Sequence, residues 1–316
     1  MAFVETKQLK KYFKTPGGTL HAVDNVSISI EKGETLGVVG ESGCGKSTFG
    51  KTLMKLHEPT SGEIWFDGVN IAPLGPKEFK PYRSRIQMIF QDPYASLDPR
   101  MNIRSLIAEP LTVLGGMKDK KEIAKKVDEL MNSVGLARRL GNSYPHELDG
   151  GRRQRIGVAR ALALNPEFII CDEPVSALDV SIQAQILNLL QDLQEERGLT
   201  YVFITHDMSV VKHIANEIMV MYLGQAVEKC NSKELFRNTL HPYSKALLSA
   251  IPVPSIHVER KPIPLQGELS SPINPKPCCR FAVRCPYATD QCRSEEPELR
   301  EYCPGHFVAC HRIGEI

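Results

Sequence analysis

The chain of 316 residues is 42% hydrophobic and 24% charged, enough to bury one large core plus a smaller appended unit. Its 39 Lys and Arg stand against 37 Asp and Glu, so no global basic field draws it to nucleic acid or anionic lipid, and membrane contact is expected to run through other proteins. Met1 to Lys14 hold no apolar stretch of the signal-peptide kind, and no later run reaches the roughly 18 apolar residues of a membrane span, which points to the cytoplasm.

Up to about residue 230, short β-rich runs alternate with helical stretches. Strands are expected over Thr35 to Val39, Ile86 to Phe90, Phe168 to Cys171, Tyr201 to Thr205 and Ile218 to Tyr222, and such alternation builds a parallel sheet with helices on its faces. The first strand runs into Gly40-Glu41-Ser42-Gly43-Cys44-Gly45-Lys46-Ser47-Thr48, which fits G-x-x-x-x-G-K-[ST] in the strand-then-helix setting that the motif requires. Its glycines let backbone N–H groups close around phosphate oxygens, Lys46 can reach the outer phosphates, and the Ser47 hydroxyl is placed to hold Mg²⁺.

Between the second and third strands lies a mostly helical stretch, including Lys120 to Val134 and the Arg-rich Arg152 to Ala163. It reads as a helical subdomain inserted into the α/β core over about 92–165. Arg152, Arg153, Arg155 and Arg160 wind around one helix, which favours solvated or intramolecular roles over a nucleic-acid patch. The third strand ends in Asp172-Glu173, where Asp172 can help hold Mg²⁺ and Glu173 can polarise an attacking water as general base. An apolar strand ending in two carboxylates is common; its weight here comes from following a phosphate loop. Past Leu240, prolines at 242, 252, 254, 262, 264, 272, 275 and 277 mark a tether to a small terminal module. That module holds six of the nine cysteines, while Cys44, Cys171 and Cys230 are scattered. In a reducing compartment such clustering suggests metal rather than disulfides.

Glu147-Leu148-Asp149-Gly150-Gly151-Arg152, set between the phosphate loop and the Asp-Glu strand, resembles the signature of the ABC ATPase family, usually Leu-Ser-Gly-Gly-Gln. Leu148, Gly150 and Gly151 match; Asp149 and Arg152 depart. The family's other elements follow in order. Gln91 in Phe90-Gln91-Asp92-Pro93 resembles the Q-loop, Ser176-Ala177-Leu178-Asp179 the D-loop, and His206 in Thr205-His206-Asp207 the switch histidine. Phe13, or its neighbour Tyr12, stands where the family stacks an aromatic ring on adenine. A histidine after a strand is by itself more often structural; the ordered set is what gives His206 a role. The resemblance implies a P-loop NTPase (RecA-like) core with an antiparallel β subdomain, the inserted helical subdomain and a small Cys-rich C-terminal module. The ATPase domain would span 1–235 and an extension 236–316. It implies ATP and Mg²⁺ held by Phe13, residues 40–48, Gln91 and Asp172, with Glu173, His206 and Gln91 catalytic. Leu148, Asp149, Gly150, Gly151, Arg152 and Asp179 would meet the nucleotide of a facing subunit.

Gln91 to Met101, Tyr144 to Leu148 and His241 to Leu248 further resemble the oligopeptide and dipeptide importer ATPases. That resemblance implies a pair of nonidentical ATPases beneath two transmembrane permease subunits at the cytoplasmic face of the membrane, an extracytoplasmic substrate-binding protein, and no nucleic acid. Relatives that import nickel, glutathione or sugars share the pattern. A soluble ABC protein of translation or DNA repair would usually carry two ATPase domains or a long coiled-coil insertion, and a nucleotide-binding redox sensor would not need Glu173 and His206. The spacing of Cys279, Cys285, Cys292 and Cys310 is similar to that of importer ATPases carrying a [4Fe-4S] cluster; soft sulfur also suits zinc, and the thiols could stay unligated. Cys278 abuts Cys279 and could replace it, whereas Cys303 fits neither reading. Nothing in the sequence ties these cysteines to the phosphate loop, so a structural or redox-sensing role is expected.

Overall fold

The computed structural model describes residues 2–251, 262–265, 267 and 271–315; Pro252 and Pro254 of the expected tether lie outside the described residues. The chain begins with β1 (Val4–Thr15), β2 (Gly18–Ile30), β3 (Thr35–Val39), α1 (Lys46–Leu53), β4 (Ser61–Phe66) and β5 (Val69–Asn70). It continues through α2 (Tyr82–Arg85), β6 (Ile86–Ile89), α3 (Pro93–Ser96), α4 (Ile103–Val113), α5 (Lys120–Ser133), α6 (Gly150–Leu162), β7 (Phe168–Asp172), α7 (Val180–Arg197) and β8 (Thr200–Thr205). It ends with α8 (Met208–Ile214), β9 (Glu217–Tyr222), β10 (Gln225–Asn231), α9 (Ser232–Arg237), α10 (Pro242–Ser249), α11 (Asp290–Ser294), β11 (Arg300–Cys303) and β12 (His306–Val308). All five strands expected from the sequence form, as do the helices over 120–133 and 150–162.

The chain divides into two compact units, one made of residues 1–30, 35–72 and 204–316, the other of 31–34 and 73–203. In the first, β2, β1, β4 and β5 pair in that order into an antiparallel sheet. Along β2, Val26, Ile28 and Ile30 are buried while Ser27 and Ser29 are exposed, the period-2 pattern of a sheet with one dry face. The same unit carries the strand order β11-β12-β10-β9-β3, with β3 and β9 parallel. Gly37 in β3 lets α8 lie close, since a Cβ there would stand 3.0 Å from the side chains of Val211 and Ala215.

In the second unit, β6 and β7 pair in parallel, and every residue of β7 is buried, as continuous apolar strands between helical layers require. The starts of α4, α5 and α6 are set by Asn102, Asp119 and Asp149, whose side chains accept from the amides of Ser105, Lys121 and Arg152; such caps typically contribute about 1 kcal/mol. Arg160 in α6 reaches Ser96 O at 2.7 Å and Glu109 in α4 at 2.9 Å, and Arg155 reaches Val134 O at 2.6 Å. The Arg-rich helix thus spends these arginines on intramolecular contacts. No helix among the described residues is long and apolar enough to cross a membrane.

The C-terminal residues pack into the first unit. Glu228 of β10, fully buried, accepts from the Leu240 and His241 amides and pairs with His306 Nε2 at 2.8 Å. Phe281 lies 5.3 Å from Tyr222, 5.5 Å from Tyr243 and 5.6 Å from His241, ring to ring. His241 caps α10 by accepting the Tyr243 amide on Nδ1 at 3.1 Å, so it needs a free lone pair there. Burial pushes its pKa down to about 4, with Glu228 opposing.

An unfolded histidine titrates near 6.5. Below that pH the unfolded chain therefore binds a proton that the native chain refuses, and stability falls as the pH drops from about 6.5 toward 4. The loss from this residue is on the order of 2 kcal/mol at pH 5. His241→Asn keeps a capping acceptor without a titrating group. Urea unfolding at pH 7.5 and 5 should show the wild type losing about 2 kcal/mol more than the variant; equal losses would mean that His241 protonates freely in the fold.

Candidate functional site

The phosphate loop leaves β3 at Val39 and enters α1 at Lys46. Gly40 (φ 153°) and Gly45 (φ 107°) hold backbone conformations that side chains rarely adopt. A Cβ at Gly40 would stand 2.2 Å from Met221 O, and one at Gly45 2.1 Å from Ala22 O. The loop is therefore wedged between two backbones, and with the Glu41 amide taken by Tyr243 and the Cys44 amide by Glu41 O, an anion would be met by the loop's other amides. Lys46, 4% exposed, turns Nζ back onto Gly40 O (2.8 Å) and Glu41 O (2.9 Å), inside the loop it would serve. Cys44 is buried and its thiol is pushed up by desolvation, so this cysteine packs as a small apolar residue. His206, exposed, follows β8 in the same unit, just before Asp207 caps α8 through the Ser209 amide.

Tyr12 and Phe13 take different roles. The Tyr12 hydroxyl donates to Asp24, and its ring stacks on His21 at 3.8 Å; burial, then this bond, raises its pKa. Asp24 also takes His21 Nδ1 and the Arg280 guanidinium. Burial works against its charge, yet Tyr12, His21 and Arg280 together hold its carboxyl below the usual range. Phe13 is half-buried, edge-on to His57 at 5.4 Å. The committed ring at Tyr12 leaves Phe13 the better candidate for stacking on a base.

In the second unit, β7 delivers Asp172, 3% exposed, and then Glu173 at φ 46°, a left-handed conformation that a non-glycine residue holds only under constraint. Ser176 supplies it, donating its amide and hydroxyl to Glu173 O at 3.3 and 3.1 Å. Gln91, just past β6, donates Nε2 to Glu173 Oε2 at 2.9 Å. Two residues 82 positions apart are thus brought together as the motif order implies. The signature and the D-loop also meet: a Cβ on Gly151 would come within 2.6 Å of Ile182 Cγ2, and one on Gly150 within 3.0 Å of Leu178 Cδ2. Leu148 is buried, and Asp179 begins α7. Asp149 Oδ1 accepts the Arg152 amide at 2.8 Å while Oδ2 faces Arg152 Nε at 3.4 Å.

Cys279, Cys285, Cys292 and Cys310 line one small pocket with His241 and Phe281; Cys278 and Cys303 do not. Burial pushes the Cys279 thiol up to about 12, and the nearness of Cys292, Cys310 and Cys285 adds to it. Cys285 and Cys310 are raised for the same reasons. The amides of Phe281, Tyr287 and Arg312, each two residues on, point at the sulfurs of Cys279, Cys285 and Cys310. No group of three or more His, Cys, Asp or Glu among the described residues is set around a single metal ion.

The expectation that nothing ties these cysteines to the phosphate loop is corrected by the structure. Arg284, beside Cys285, binds Glu41 of the loop through Nη1 (2.6 Å) and Nη2 (3.0 Å), and the Glu41 amide donates to the Tyr243 hydroxyl of α10 at 2.8 Å. Sequence reasoning missed Arg284, Tyr243, Asp24 and Arg280, because the contacts Arg284–Glu41, Tyr243–Glu41 and Arg280–Asp24 each join residues more than 200 positions apart.

A glycine-wedged phosphate loop, a strand ending in Asp-Glu and a capped Gly-Gly helix beside a D-loop are the parts of an ABC-type ATPase. The ABC transporter family profile matches residues 23–176, and the profile of the oligopeptide/dipeptide transporter C-terminal region matches 227–292. The chain belongs to the family of oligopeptide and dipeptide transport ATP-binding proteins. It is 52% identical to the oligopeptide transport ATP-binding protein AppF of Bacillus subtilis, covering 98% of this chain and 96% of that one. It is 51% identical to the oligopeptide transport ATP-binding protein OppF of Escherichia coli, covering 99% and 94%. Among solved structures, a dimeric ATP-binding cassette in a post-hydrolysis state bound to ADP and phosphate matches with a TM-score of 0.67 and 32% identity, covering 72% of this chain and 98% of that one.

Proposed function

We propose that the chain is the ATP-hydrolysing subunit of an ABC importer for oligopeptides or dipeptides. The observation that carries this is the match of residues 227–292 to the peptide-transporter C-terminal region, added to a phosphate loop and an Asp-Glu strand of the kind that hydrolyses ATP. ATP phosphates lie on the amides of residues 40–48, with Lys46 released from Gly40 O and Glu41 O to meet them, and Phe13 stacks on adenine. The Ser47 hydroxyl and the buried Asp172 carboxylate would hold Mg²⁺, a fit of hard oxygen ligands to a hard cation. Glu173 polarises the attacking water, Gln91 orients both, and His206 contacts the outer phosphate. Leu148, Asp149, Gly150, Gly151, Arg152 and Asp179 close over the nucleotide of a paralogous ATPase. The ATPase domain would span 1–235 and the extension 236–316, with the matched peptide-transporter region beginning a little earlier, at 227. Closure and reopening of the pair drives two transmembrane permease subunits, to which the chain binds peripherally at the cytoplasmic face, while an extracytoplasmic binding protein delivers the peptide.

The cysteine pocket is proposed to hold a [4Fe-4S] cluster. Four thiols around one space, three of them aimed at by main-chain amides, suit a cluster, because such N–H···S contacts stabilise thiolates that burial alone disfavours. A cluster holds its thiolates farther apart than the zinc alternative, whose sulfurs sit about 2.3 Å from a single ion. Bound there, it would tie the segments carrying Cys279, Cys285, Cys292 and Cys310 and could exchange one electron.

Lys46→Ala is expected to weaken nucleotide binding, and Glu173→Gln to keep binding while lowering turnover on the order of 10² to 10⁴. Steady-state ATPase of the reconstituted transporter checks this; near-normal turnover with Glu173→Gln would remove the base assignment. Anaerobically purified protein is expected to be brown and to bleach when Cys285 or Cys292 becomes Ser; colourless protein with one zinc per chain would decide for zinc.

The Asp149 carboxylate cannot donate the hydrogen bond that a signature serine gives to a γ-phosphate. The composite site containing it should therefore hydrolyse slowly, which calls for a nonidentical partner. In the reconstituted transporter, Glu173→Gln should abolish ATPase, while the matching change in the partner subunit should do little. Equal losses would mean that both sites turn over.

A further inference from the structure

Arg284 sits in the segment bracketed by Cys279 and Cys285, and its side chain is 7% exposed. The guanidinium lies 5.9 Å from the Tyr222 ring, and its Nε finds no hydrogen-bond partner. Its charge is therefore removed from water and balanced by Glu41 through a two-pronged contact of 2.6 and 3.0 Å. Glu41, first and foremost, raises the Arg284 pKa further above its ordinary value. Glu41 is 27% exposed, so the pair is half-buried, and removing one member leaves the other charge poorly compensated, at a cost above that of a surface ion pair.

What makes this pair more than packing is the position of Glu41. It is the second residue of the phosphate loop, and its carbonyl is one of the two that hold Lys46 Nζ. Its amide is pinned by Tyr243. Three groups of Glu41 are thus fixed: carboxylate and amide by residues after 240, carbonyl by the loop lysine. A Glu41 carboxylate without Arg284 would stand, unneutralised, in a loop whose purpose is to gather three or four phosphate charges, and at a few ångströms such repulsion is worth kilocalories even at an effective dielectric of 20.

We propose that Arg284 is a positioning residue for nucleotide binding: by clamping and neutralising Glu41 it sets the phosphate loop for the nucleotide, making the cysteine-bearing segment a structural part of the ATP site. Arg280, four residues earlier, does the parallel service at the other wall, binding Leu223 O and the Asp24 carboxylate that holds Tyr12. The proposal rests on reading residues 40–48 as the phosphate loop.

The test is equilibrium binding of a fluorescent ATP analogue to the full chain, with urea midpoints measured in parallel. Arg284→Gln should raise the Kd about tenfold, equivalent to about 1.4 kcal/mol. Adding Glu41→Gln to it should recover most of that loss, because the second change removes the charge that the first left bare. Arg284→Lys, which keeps the charge but not the fork, should fall between and serves where Arg284→Gln does not fold. Lys46→Ala is the control for the underlying reading: if it leaves the Kd unchanged, the phosphate-loop assignment itself fails. If Lys46→Ala loses binding while the Arg284 variants shift only the urea midpoint, or if the double variant binds no better than Arg284→Gln, the positioning role is overturned.

Discussion

The carbonyls of Ala22 and Met221 leave no room for a side chain at Gly45 and Gly40, and much of the first unit follows from that squeeze. Ala22 belongs to β2 and Met221 to β9, so the antiparallel sheet and the parallel one meet at the loop rather than beside it. Gly224 completes the joint: its amide donates to Cys44 O and its carbonyl accepts the Asp24 amide, at 2.8 Å each. A Cβ on Gly224 would itself stand 2.4 Å from His21 O. Two glycines of the loop and a third much later in the chain thus let three backbones approach within hydrogen-bonding range, and the loop is held by the strands on either side.

The residues after 225 belong to this arrangement rather than hanging from it. Glu228 is a carboxylate with no solvent, a costly thing to bury; two amides and His306 offset that cost. Those donors come from the start of α10 and from β12, so the price is met by fixing the extension to β10. Once α10 is fixed, Tyr243 has one place to go, and its hydroxyl meets the Glu41 amide. The chain of contacts from β10 to the phosphate loop runs through buried polar groups, which tolerate displacement less than apolar packing does.

The motifs proposed to hold and hydrolyse the nucleotide stand out in the sequence because each is contiguous and its chemistry local: glycines for a tight loop, a lysine, an apolar strand ending in carboxylates. The five core strands were legible as continuous apolar runs. The antiparallel strands β1 and β2 were named only through resemblance, although Val26, Ile28 and Ile30 alternate with serines as a half-buried strand should. What could not be read was pairing at a distance. Arg284 and Glu41 are 243 residues apart, and Arg-Cys is not a motif that names its partner. The four pocket cysteines were picked by spacing, yet only the fold separates them from Cys278 and Cys303. Tyr12 and Phe13, adjacent and chemically similar, were separated by Asp24 and His21, which claim the first ring.

The departure at 149 and 152 can be weighed in the same terms. As an N-cap, Asp149 contributes about 1 kcal/mol, and a serine would do nearly as well. Its ion pair with Arg152 is between exposed groups and adds at most about 1 kcal/mol. Local stability therefore gives little reason for aspartate over serine at this position. The two substitutions do complement each other: an acid at the cap and a base one turn on restore neutrality to the helix end and satisfy the orphan amide. They leave the helix start intact while replacing a hydroxyl donor by an acceptor at the surface proposed to meet a facing nucleotide. The structural consequence of the change is small and the chemical one, a donor exchanged for an acceptor, is large, so the fold that carries position 149 does not by itself account for the residue found there.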